Sequence, residues 1–124
     1  MTIAEVSRKY GISADTLRYY ERIGLIPPVP RGKGGIRNYG EESCQWIELM
    51  KCMRGAGVQI EALIEYVALF QQGDATLEAR KALLMEQREQ LMARMAEMQS
   101  SLDRLNEKIS RDEREMGAPK ETIP

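Results

Sequence analysis

Thr16-Leu17-Arg18-Tyr19-Tyr20-Glu21-Arg22-Ile23-Gly24-Leu25-Ile26 is the stretch on which the fold turns. Its spacing predicts a helix over about 14–23, opened by Ser13 as N-cap with Asp15 in the positive first turn and stopped by Gly24. Leu17 and Ile23 then look inward, while Arg18, Tyr19 and Arg22 fall largely elsewhere, as natural donors to phosphates and base edges. Upstream, Thr2 and Glu5 make a capping-box pattern for a first helix over about 3–10, which carries Ile3, Val6 and Tyr10. Gly11 permits a left-handed turn between the two. Two short helices joined by a three-to-four-residue turn containing Gly form a helix-turn-helix, whose second helix can lie in a DNA major groove.

Downstream, Ile26 to Tyr39 holds too many prolines and glycines for a helix and reads as two short strands around a flexible tip. The tip is basic, with Arg31, Lys33 and Arg37, and a basic hairpin in this place is a wing beside the recognition helix. A third helix is expected over about 41–55, with Trp46, Leu49, Met50 and Met53 on one side, and a fourth over about 58–72, with the stripe Ile60, Leu63, Ile64 and Val67. The candidate DNA contacts are Ser13, Thr16, Arg18, Tyr19, Arg22, Arg31, Lys33, Arg37, Tyr39 and Arg54. Tyr19 and Tyr39 have a second possible role, covering the core with each hydroxyl in water.

From Asp74 the period changes to seven. Leu77, Leu84, Leu91, Met98 and Leu105 recur as d positions, and Lys81, Arg88, Met95, Leu102, Ile109 and Met116 fall at a. A helix over 75–115 is about 60 Å long at 1.5 Å per residue, too long to bury this stripe against a head of some seventy residues. The seam therefore calls for a partner helix, with Leu77, Leu84, Leu91, Met95, Met98, Leu102, Leu105 and Ile109 as the dimerisation set. Basic Lys81 and Arg88 at early a positions favour partly paired or antiparallel helices over a uniform parallel zipper. The fold class is mainly α: a winged helix-turn-helix head over 1–73, a coiled-coil dimerisation helix over 74–116 and a flexible tail over 117–124.

Composition narrows the chemistry. A chain of 124 residues without His excludes Ser-His-Asp and Cys-His catalysis and His-ligated zinc together, and no catalytic constellation is present. The two cysteines, eight residues apart on the third helix, are about 12 Å apart along its axis, beyond disulfide reach or shared metal ligation. No metal or cofactor is expected. No apolar run approaches the roughly 18 to 20 residues of a membrane span, and there is no basic-then-apolar leader, so a cytoplasmic protein is expected. The net charge of −1 hides a division: residues 1–39 hold seven basic and three acidic residues, whereas 61–124 hold nine basic and thirteen acidic. The head suits phosphate and the long helix does not.

Thr2-Ile3-Ala4-Glu5-Val6, the run from Thr16 to Ile26, the wing ending Ile36-Arg37-Asn38-Tyr39 and the terminal long helix together resemble the MerR family of bacterial transcriptional regulators, over essentially the whole chain. The resemblance implies dimerisation through an antiparallel coiled coil and binding to inverted repeats in double-stranded promoter DNA. It also implies activation of RNA polymerase at that promoter by bending and untwisting the DNA. Two heads at fixed separation meet major grooves about 34 to 36 Å apart only at particular DNA geometries, and bending 20 to 30 base pairs costs of order 1 to 6 kcal/mol. Lys51-Cys52-Met53-Arg54 followed by Gly55-Ala56-Gly57 is similar to the branch that answers aldehydes and oxidative or nitrosative stress through one cysteine, which implies Cys52 as sensor. Lys51 and Arg54 are expected to favour its thiolate. No role is transferred to Cys44. A DNA-bending architectural or recombination-accessory protein without a sensor is the alternative, and electrophile-dependent transcription separates the two.

Overall fold

A computed structural model describes residues 1–117. Local chemistry sets the first two helices. In α1 (Ile3–Tyr10) the Thr2 hydroxyl accepts from the Glu5 N–H at 3.2 Å and the Glu5 carboxylate accepts from the Thr2 N–H at 2.9 Å, closing the capping box. Gly11 ends α1 at φ +66° with its N–H on the Ser7 carbonyl at 2.9 Å, a left-handed cap that any side chain would strain. Three residues later the Ser13 hydroxyl accepts from the Thr16 N–H at 3.1 Å and opens α2 (Ala14–Arg22).

The wing departs from the expected pair of strands. Its two arms are joined by a single antiparallel bridge, Arg31 to Arg37, with backbone bonds from Gly32 N–H to the Ile36 carbonyl and from Asn38 N–H to the Pro30 carbonyl, each 2.7 Å. The tip is a 3₁₀ turn, Lys33–Gly35. Pro27, Pro28 and Pro30 remove three donors from one arm, and Gly34 and Gly35, both at positive φ, curl the other end, so no ladder extends. Among the described residues there is no β-strand.

The remaining helices are α3 (Glu41–Gly55), α4 (Ile60–Gln71) and, after a 3₁₀ turn at Asp74–Thr76, α5 (Leu77–Gly117). The expected tail lies, beyond Gly117, outside the described residues. The core gathers Val6, Leu17, Leu25, Ile26, Tyr39, Ile47, Met50 and Val67, all nearly or fully buried. The face of α3 differs from the expected stripe: Ile47 is fully buried and Leu49 is 38% exposed. α3 packs against α1, and its buried residues are Cys44, Trp46, Ile47 and Met50, so Trp46 and Met50 lie inward as expected.

Packing divides the chain into a unit Met1–Arg88, which runs past residue 73 to take in the first turns of α5, and a second that begins at Glu89. In the first unit, Arg80 is buried with its guanidinium 5.2 Å from the centre of the Phe70 ring. Along α5 the seam is open: Leu84, Met95, Met98, Leu102, Leu105 and Ile109 are all exposed. No helix among the described residues is long and apolar enough to cross a membrane.

Candidate nucleic-acid interface

The exposed face of α2 presents Arg18, Tyr19 and Arg22. The Arg22 guanidinium lies 5.3 Å from the centre of the Tyr19 ring, a cation–π contact that orients both toward solvent. Arg18 donates to the Asp15 carboxylate at 2.8 Å, with both side chains exposed. An exposed pair of this kind contributes about 0–1 kcal/mol, so a phosphate can replace Asp15 at little cost. Ser13 and Thr16 bond to each other through their hydroxyls at 2.8 Å at the head of α2.

In the wing, Lys33 is exposed at the tip and Arg31 donates to the Gly35 carbonyl at 2.9 Å, bracing the turn. Arg37, expected among the DNA contacts, is engaged within the protein. Its Nε donates to Glu21 Oε1 at 2.6 Å, while Glu21 Oε2 accepts from the Val29 N–H at 2.9 Å. One carboxylate on α2 thus holds both arms of the wing. Burial pushes the Glu21 carboxyl up, but the bonds from Arg37 and Val29 and the positive fields of Arg37 and Arg31 outweigh it, so its pKa sits below the usual value. Sequence reasoning assigned Glu21 nothing. The available signal was an acid on the second half of a helix otherwise basic there, with Arg22 beside it and the wing following.

Tyr39, expected among the DNA contacts with core cover as its second role, lies in the core. It is 1% exposed, its hydroxyl has no hydrogen-bond partner, and burial is the first cause that raises its pKa. Its backbone N–H donates to the Met1 carbonyl at 2.8 Å, which sets the end of the wing against the start of α1. Arg54 is exposed and donates to the Val58 carbonyl at 3.4 Å, at the turn from α3 to α4.

The two thiols differ in access. Cys52 is exposed on α3 and Cys44 is buried. Tyr10 lies beside Cys44, and its phenol is pushed up to about 12 first by burial and then by a hydrogen bond with that thiol. The cations flanking Cys52 in sequence are engaged elsewhere, Lys51 on the Tyr10 carbonyl at 2.5 Å and Arg54 on Val58. Neighbours on a helix point about 100° apart, so adjacency in sequence does not bring Lys51 to the thiol. Among the described residues no cluster of three or more acids, cysteines or histidines is placed to hold a metal ion.

This arrangement is found in known proteins. The pattern of the MerR HTH family of regulatory proteins matches residues 1–69. The chain is 59% identical over 92 residues to the HTH-type transcriptional regulator AdhR of Bacillus subtilis, covering 74% of this chain and 66% of that protein. A crystal structure assigned to a MerR family transcriptional regulator from Listeria monocytogenes superposes with a TM-score of 0.89 at 53% identity, over 91% of this chain and 86% of that one. HiNmlR, a MerR family regulator lacking the sensor domain and crystallised bound to promoter DNA, superposes with a TM-score of 0.82 at 31% identity, over 94% of this chain and 92% of that one. These relatives are regulators and not enzymes. With its helix-turn-helix, its short wing and its long terminal helix, the chain belongs to the MerR family of HTH transcriptional regulators.

Proposed function

We propose that two copies bind an inverted-repeat operator in double-stranded promoter DNA, with α2 in the major groove and the wing on the flanking backbone, and activate RNA polymerase there by distorting the DNA. Arg18, Tyr19, Arg22, Arg31 and Lys33 make the contacts, supported by Arg37 as the strut of the wing. The observation that carries this reading is the exposed Arg18-Tyr19-Arg22 face beside a wing pinned to the same helix. The DNA in the HiNmlR crystal supports it. Dimerisation runs through α5, whose apolar seam is exposed in the single chain and whose length leaves most of that seam without cover.

The input is an electrophile that adds to the Cys52 thiolate, an aldehyde or a nitrosative or oxidising agent. Two observations support it: Cys52 is the exposed thiol of the pair, and AdhR matches this chain across that segment. Addition of an aldehyde carbon to the sulfur consumes the thiolate and, after protonation of the oxygen, leaves a neutral hemithioacetal on α3. The test is transcription from the chain's own promoter with and without formaldehyde or methylglyoxal. Cys52→Ala is expected to keep DNA binding and lose induction; full induction by that variant overturns the sensing role. DNA affinity that does not fall with added salt overturns the DNA-binding reading, because phosphate contacts release counterions.

A further inference from the structure

The last residue of α1 is held by α3 at both of its polar ends. Tyr10 is 7% exposed, and its phenol meets the Cys44 thiol and the Glu48 carboxylate. Its carbonyl, one of the acceptors that a helix end leaves unpaired within the helix, takes the Lys51 ammonium at 2.5 Å. A cation there also complements the negative end of the α1 dipole. Cys44, Glu48 and Lys51 follow one another four and three residues apart, so one stripe of α3 supplies all three groups. The grip falls where α1 gives way to α2. Gly11 comes next, and a Cβ on it would stand 4.0 Å from the Lys51 ammonium. The Gly11 and Ile12 N–H groups both donate to the Ser7 carbonyl, at 2.9 and 3.3 Å, and Ser13 then opens α2.

Cys52 lies beside this grip. Glu48 and Cys52 are four residues apart and both exposed, which makes them neighbours on the surface of α3 with about 5–6 Å between Cβ atoms. At about 100° per residue, Cys44 and Lys51 fall to one side of Glu48 and Cys52 to the other. Addition of an aldehyde to Cys52 leaves a hydroxyl on the carbon next to the sulfur, a donor within reach of the Glu48 carboxylate. A Glu48 side chain that turns to that donor turns away from Tyr10. The phenol has room to shift, because a cavity of about 400 Å³ borders it, lined by Lys9, Tyr39, Cys44, Gln45 and Glu48 among others.

We propose that Tyr10 relays the state of Cys52 to the helix-turn-helix, with Glu48 and Lys51 as positioning residues: an adduct on Cys52 draws Glu48 from the phenol and loosens the α1–α2 turn that α3 otherwise holds. The inference rests on Cys52 as the sensor of the proposed function. It adds the route by which a group outside the α2 and wing surface alters the helix that reads DNA.

The test uses the purified chain with a stable adduct on Cys52. Iodoethanol gives a hydroxyethyl thioether and iodopropane an apolar thioether of similar size; in each case the sulfur–carbon bond forms as iodide leaves. Hydrogen exchange at the Gly11 and Ile12 amides is expected to speed up roughly fivefold with the hydroxyethyl group and to stay unchanged with the propyl group. Glu48→Ala and Tyr10→Phe are expected to show the fast exchange before any alkylation, and to keep operator binding while the formaldehyde induction ratio falls roughly fivefold. Glu48 is exposed, so its truncation reads the relay even where Tyr10→Phe weakens the core. Lys51→Met is expected to follow Glu48→Ala in exchange and in induction, with Lys51→Arg restoring the native values. Exchange that neither adduct changes, an equal effect of the propyl group, or a native induction ratio in Glu48→Ala overturns the relay and leaves Cys52 as the sensor. Full induction in Cys52→Ala overturns the sensor, and the relay with it.

Discussion

Glu21 ties both arms of the wing to α2 through Val29 and Arg37. With its pKa depressed, the stabilisation it brings is fully present above the ordinary carboxylate value of about 4.3 and is lost as pH falls through the lowered value. Glu21→Gln is therefore expected to flatten the acid limb of a thermal-stability profile below about pH 4.5. Operator binding at neutral pH should weaken in the same variant while α2 stays intact, read by anisotropy beside circular dichroism. Tyr39 gives a contrary case. Its buried, unpartnered hydroxyl is a cost to the fold, so Tyr39→Phe is expected to raise stability by about 1 kcal/mol and leave operator affinity unchanged. A loss of affinity in Tyr39→Phe returns the hydroxyl to the phosphate. Arg22→Ala, in contrast, is expected to weaken DNA binding across all sequences and reduce the salt slope by about one, if Arg22 meets a phosphate.

At the scale of the element, the helices were legible wherever their ends are set by neighbours in the chain. Thr2 with Glu5, Gly11 and Ser13 place α1 and the start of α2 without any tertiary contact, and their expected bounds agree with the observed ones to within a residue. What was not legible is what distant contacts decide. The face of α3 depends on where α1 lies, which turned Ile47 in and Leu49 out. The wing was recognisable from its prolines and glycines, which also keep its arms from extending a ladder, yet the burial of Tyr39 follows from packing against the start of α1 that no local pattern displays. Leu17, fully buried at the centre of α2, is where element and core meet. Leu17→Ala is expected to cost about 2–5 kcal/mol in chemical denaturation and to abolish DNA binding with the fold.

At the scale of the whole molecule, charge and thiol access are the features that matter. Basic residues concentrate in 1–39 and acidic ones in 61–124, so a net charge near zero coexists with a head that phosphate attracts. The thiol that faces solvent is on α3, outside the α2 and wing surface, and the buried Cys44 lies against Tyr10 of α1. Mass spectrometry after brief aldehyde or nitrosating treatment is expected to find the added mass on Cys52, with Cys44 modified only after unfolding. Equal labelling of both thiols in the native protein contradicts the difference in access.

The Glu21 bridge between α2 and the wing has a consequence best stated as avidity. Two weak DNA readers joined by a stiff strut bind with a high effective concentration of the second once the first has landed, and a floppy joint forfeits that gain even when each reader is intact. Damage to the operator under α2 and damage under the wing should then be less than additive in the native protein and become additive in Glu21→Gln, because only the rigid pair docks as a unit.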